Sequence, residues 1–172
     1  MNLKFALAMV ATAAIAACGS SNETFTLSSG TNAYKLSDVH AQDPDNCDLA
    51  GVFADGDTIQ VAVSGTTATF AFSSNTARQP AATISGNELQ EGSKTYDVDY
   101  NTEPGLTSQF DCVETTTLTI SGTLLADDKF SGQLIKQNVQ KSGACDLSDL
   151  SSALGYKAFP CSSTLTFTAE KQ

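Results

Sequence analysis

Apolar side chains recur at every second position through most of this chain, and that period leaves few folds open. Phe25 and Leu27 alternate with Thr24, Thr26 and Ser28, and Ile59, Val61 and Val63 with Thr58, Gln60 and Ser64. The pattern returns at Ala68, Phe70 and Phe72, at Tyr96, Val98 and Tyr100, and at Leu118, Ile120 and Leu124 with Gly122 in the gap. Phe130, Gly132 and Leu134 follow, then Leu165, Phe167 and Ala169. Successive side chains of a strand point to opposite faces, so each run makes a ribbon with one buried and one wet side. The wet sides are rich in Thr and Ser, which suit solvent-facing strand positions.

Turn signals separate the runs. Asp55-Gly56 precedes the Ile59 strand, Gly65 links it to the Phe70 strand, and Gly86-Asn87 follows the Ile84 run. Glu91-Gly92 precedes the Tyr96 strand, and Asp127-Asp128 joins the Leu118 and Phe130 strands as a short hairpin. Links this brief make sequence neighbours antiparallel, because a parallel crossover needs about a dozen residues. Asp146 to Tyr156 alone reads as helical, with Leu147, Leu150 and Leu154 on one face and Gly155 as its stop. The expectation is an all-β antiparallel meander of about eight strands with one short helix, closed as a barrel, with a β-sandwich as the alternative. That architecture resembles the lipocalin-like (calycin-type) barrels. The lipocalin Gly-x-Trp signature cannot occur in a chain with no Trp, so no ligand residue carries over.

The first residues carry a different signal. Met1-Asn2-Leu3-Lys4 is a short positive start, and Phe5 to Ala14 is apolar or small except at Thr12. The run is too short for a bilayer span of about 20 residues and fits a secretory leader. Ile15-Ala16-Ala17-Cys18 then resembles the lipobox of bacterial lipoproteins. The resemblance implies lipidation of Cys18, cleavage before it, and removal of residues 1–17. An ordinary cut at Ala14-x-Ala16 competes, but it would leave Cys18 an exposed odd thiol among five cysteines. Residues 18–22 become the lipidated Cys and its tether, and 23–172 a single β domain. Palmitate-type acyl chains on Cys18 would hold the protein to the membrane of the cell envelope. Gly19, where family members retained at the inner membrane carry Asp, points to the outer membrane.

The side chains sum to −10, with 9 Lys and Arg against 19 Asp and Glu. That surface repels phosphate backbones, which argues against nucleic acid as a partner and leaves an envelope protein as the partner to expect. Nothing reads as a catalytic or cofactor-binding constellation. His40, the single histidine, has Ser37 and Asp38 beside it, but strand neighbours diverge, so a surface position is expected. Asp43, Asp45 and Asp48 cluster with Asp55 and Asp57 nearby, yet Cys47 stands at a ligand position of the calcium-loop pattern, so the cluster reads as a solvated turn. The cysteines lack the paired spacing of a zinc site.

Cys47, Cys112, Cys145 and Cys161 remain for two disulfides in an exported domain. Cys145 with Cys161 would clip the ends of the helical insertion, leaving Cys47 with Cys112. The inward phenylalanines, Phe25, Phe70, Phe72, Phe130 and Phe167, can either fill a small barrel or line one ligand space, and a packed core is the expectation. The function expected is therefore a non-catalytic, membrane-anchored role, structural or in protein interaction. A lipid-tethered carrier holding a small apolar ligand inside the barrel is the alternative.

Overall fold

Eight antiparallel strands close into one ring in the computed structural model, which describes residues 23–104, 106 and 110–172. The strands are β1 (Gly30–Gln42), β2 (Thr58–Ser64), β3 (Thr67–Ala71), β4 (Ala81–Ser85), β5 (Glu88–Asp99), β6 (Cys112–Ala126), β7 (Lys129–Gly143) and β8 (Cys161–Lys171). Each pairs with its sequence neighbour, and β1 pairs with β8 to seal the barrel. The fold is an up-and-down meander, calycin-like in architecture. One helix, α1 (Leu147–Leu154), lies between β7 and β8.

In a meander, alternate connections fall at opposite ends. Here every tight turn falls at one end: Gly65-Thr66, Gly86-Asn87 and Asp127-Asp128. The long links 43–57, 72–80, 100–111 and 144–160 all fall at the other. The molecule thus has a hairpin end and a loop end.

Rings pack the shaft from its hairpin half to the loop-end links. Rings meet in series from Tyr34 to Phe130 (5.6 Å between centroids), Phe130 to Phe167 (6.1 Å), Phe167 to Phe72 (6.2 Å) and Phe72 to Phe53 (5.6 Å). Gly132 makes room for this stack, since a Cβ there would stand 2.5 Å from the Phe167 ring. Of the phenylalanines expected inside, Phe70, Phe130 and Phe167 are buried, and Phe25 and Phe72 are partly buried against them.

Two elements differ from the sequence expectation. Phe25 and Leu27 do not form a strand. Their segment crosses the hairpin end, where the Phe25 N–H donates to Asn87 Oδ1 (2.7 Å), that of Thr26 to Asp127 Oδ1 (2.9 Å) and that of Ser28 to Asp128 Oδ1 (2.6 Å). Turn side chains replace a strand partner, and Leu27 plugs the core. The first strand is β1 instead, with Tyr34 and Leu36 inward and then Val39 and Ala41 packed against the core. A bulge between Ser37 and His40, with Asp38 at φ 53°, shifts the phase by one residue and conceals the alternation. Likewise Glu91-Gly92 is no turn but a bulge inside β5, between Leu89 and Gly92. A Cβ on Gly92 would lie 1.6 Å from the carbonyl oxygen of Ala81, so β4 and β5 can approach only over a glycine.

All four cysteines expected to pair do so, but as Cys47–Cys161 and Cys112–Cys145. The expected pairs, Cys145–Cys161 and Cys47–Cys112, are wrong because the strands are staggered. Cys161 at the start of β8 lies opposite Asn138, while β7 runs on to Gly143 and carries Cys145 beyond reach. Gly143 instead lies opposite Cys112, which delivers Cys145 to β6. Barrel closure sets Gln42 opposite Thr164, which brings Cys47 to β8.

Candidate functional site: the polar mouth at the loop end

The inward faces of β6 and β7 change character halfway along. Toward the hairpin end they carry Leu124, Ile120 and Leu118, and Phe130 and Leu134; toward the loop end they carry Thr116 and Glu114, and Lys136 and Asn138. Tyr96 and Val98 of β5, and Tyr100 just after it, face the same space. The pocket they bound measures about 310 Å³ and opens to solvent.

Glu114 is the anchor of this region, a carboxylate only 1% exposed. A buried charge is costly unless hydrogen bonds replace its water. Four side chains supply them: the Tyr100 hydroxyl, Thr116 Oγ1 (3.2 Å), Asn138 Nδ2 (2.8 Å) and the Tyr156 hydroxyl (3.1 Å), all donating to Oε1. Asn138 Nδ2 also donates to the Tyr156 hydroxyl, while its Oδ1 is buried without a partner among the described residues. Burial, reinforced by the nearby Glu114 charge, pushes the Tyr100 and Tyr156 hydroxyls well above the ordinary tyrosine range.

Tyr156 reaches the site because α1 and its cap hold the β7–β8 link in place. Asp146 Oδ1 accepts the Ser148 N–H (2.8 Å) at the start, and Gly155, the stop expected from the sequence, takes the left-handed conformation (φ 74°) at the end. Leu150 of α1 is buried in one cluster with Cys47, Cys112, Cys161, Val98, Tyr100 and Tyr156. The two disulfides therefore brace the wall from which the tyrosines project.

Two cations complete the mouth. Arg78, from the β3–β4 link, makes a two-pronged pair with Glu103 of the β5–β6 link (2.6 Å for each bond) and lies 5.2 Å from the Tyr96 ring centre. Lys136 sets its Nζ 4.9 Å from the Tyr156 ring centre and makes no ion pair among the described residues. Burial lowers its affinity for a proton despite the attraction of Glu114, Asp45 and Asp48.

The residues singled out in the sequence lie elsewhere. His40, Ser37 and Asp38 are exposed on β1 and converge on nothing. Three of the five aspartates serve backbone amides: Asp55 accepts from Val39 (2.8 Å), Asp57 from Ala54 (2.8 Å) and Asp45 from Leu49 and Ala50 (2.9 Å each). Asp45 is not solvated as a simple turn would be, but 5% exposed. Burial works to raise it, yet bonds from Ser163 and those two amides leave its carboxyl below the usual range. Among the described residues no group of three His, Cys, Asp or Glu side chains is placed to hold a metal ion. Cys18 and the leader expected over residues 1–17 lie outside the described residues. Sequence reading missed Thr116, Glu114, Lys136 and Asn138, although they continue the alternation of Leu118 and Leu134 with polar residues.

Fold and site together define a calycin-like barrel with a solid shaft and a polar, tyrosine-lined mouth. No protein-family profile, curated protein or solved structure matches this chain.

Proposed function

We propose that this chain is a lipid-anchored lipoprotein of the bacterial cell envelope, held in the outer membrane by acyl chains on Cys18, whose β domain is a non-catalytic interaction module. The observation that carries the reading is the polarity of the barrel. Residues 23–28 lie across the hairpin end, so a tether from Cys18 would fix that end to the bilayer and direct the loop end outward. Five tether residues span at most about 17 Å, which keeps the domain close to the surface. The two disulfides support export, because such bonds persist in oxidising compartments. The ring packing among Tyr34, Phe130 and Phe167 disfavours a carrier with its ligand deep in the hairpin half, and the saturated Glu114 disfavours an acid–base role for the mouth. An envelope protein is the partner this exposed, braced end would meet.

Expression in a bacterium with lipoprotein machinery tests the anchor. The mature chain should partition into detergent and carry acyl mass on Cys18, and Cys18→Ser should release it from the membrane or leave it unprocessed. Intact mass showing an unlipidated chain that begins at Ala17 would overturn the proposal.

A further inference from the structure

The mouth has a second compartment. Beside the polar pocket lies an apolar recess of about 120 Å³ lined by Leu49, Phe53, Phe72, Leu118 and Leu134. Tyr96 and Lys136 line both spaces and so stand at their boundary. An engineered apolar cavity of about 150 Å³ holds benzene, so this recess suits one ring or one branched alkyl group.

The charges narrow the choice of ligand. Cations find a ready seat over aromatic faces, but Arg78 already occupies Tyr96 and Lys136 already occupies Tyr156. Glu103 is committed to Arg78, and Glu114 to four donors. The Lys136 ammonium, though it faces the Tyr156 ring, keeps three donors with no carboxylate in direct contact among the described residues. Glu114, Asp45 and Asp48 attract that partly desolvated ammonium without touching it, so an incoming carboxylate would make its first direct charge-assisted bond, the stronger kind of hydrogen bond. We infer that the mouth binds a small amphipathic carboxylate, its anionic group on Lys136 and its single ring or branched alkyl group in the Leu49–Phe72–Leu118–Leu134 recess. This rests on reading the mouth as a binding site rather than a catalytic one, and it does not depend on the lipid.

The chain carries its own reporter: it has no Trp and four Tyr, of which Tyr96, Tyr100 and Tyr156 line the pocket. Purified full chain is titrated with phenylacetate and with 3-methylbutanoate, following tyrosine fluorescence, with phenylacetamide and phenethylamine as neutral and cationic controls. Both carboxylates should saturate, the amide should bind at least about tenfold more weakly, and the amine should not bind. Lys136→Met should bring carboxylate and amide to equal affinity. Because that variant could fail to fold, backbone and methyl NMR of the unaltered chain gives a second readout, with ligand shifts expected at Tyr96, Leu118 and Leu134. No saturation, equal affinity for carboxylate and amide in the unaltered chain, or shifts confined to another face would overturn the inference. Failure of the anchor leaves this titration unchanged, so the two proposals fall separately.

Discussion

Single residues in this barrel carry unequal weight, and Glu114 shows why. Its carboxylate is nearly without water, and its worth lies in the donors that it satisfies. Glu114→Leu keeps the volume and leaves the Tyr100, Thr116, Asn138 and Tyr156 donors competing for pocket water. The expected loss is about 3 kcal/mol of folding stability, in line with the cost of leaving buried polar groups unpaired, and urea unfolding measures it. Wild-type stability in that variant would mean that water replaces the carboxylate at no cost. Gly92 and Gly132 matter for the opposite reason, since what counts is the atom each lacks.

At the scale of elements, the two disulfides tie strand starts to the links that lie across them. Cys47–Cys161 closes a sequence separation of 114 and Cys112–Cys145 one of 33. In the chain-entropy picture these contribute about 5 and about 4 kcal/mol. Replacing Cys112 and Cys145 together by Ala should therefore cost less than replacing Cys47 and Cys161, and chemical denaturation of the two double variants compares them. Non-reducing peptide maps should yield Cys47–Cys161 and Cys112–Cys145 peptides. Equal costs would point to strain or residual unfolded structure rather than loop length. The segment 23–28 belongs to this scale as well: it is held by turn side chains, with no strand partner to give it a ladder.

Across the whole molecule all four tyrosines are shifted the same way. Burial lifts Tyr34, Tyr96, Tyr100 and Tyr156 above their ordinary value of 10.0. The folded chain therefore keeps phenol protons that the unfolded chain releases. The stabilisation is fully present below about pH 10 and is lost as the pH rises past it. With Tyr34, Tyr100 and Tyr156 buried, stability should fall by about 4 kcal/mol per pH unit in that range. Phenolate absorbance should then appear in a single step together with loss of the β-sheet circular dichroism. Independent titration of the tyrosines near pH 10 in a folded chain would contradict the burial that defines the mouth.

Much of this architecture could be read from the chain because it is local. Period two, the tight turns at Gly65, Gly86 and Asp127-Asp128, and the helix from its Asp146 cap to Gly155 depend on residues within a few positions of one another. That Cys47, Cys112, Cys145 and Cys161 all pair was legible for another reason, since a count of cysteines needs no fold. The bulges at Asp38 and Gly92 lay beyond that reading, because one inserted residue flips the phase and mimics a turn or a loop. The disulfide pairing followed from stagger, β7 overrunning β8, which no spacing along the chain encodes. The mouth is the clearest case. Glu114, Tyr100, Asn138 and Tyr156 are ordinary polar residues in sequence, and only ring closure turns them inward together, where loss of water makes each depend on the others.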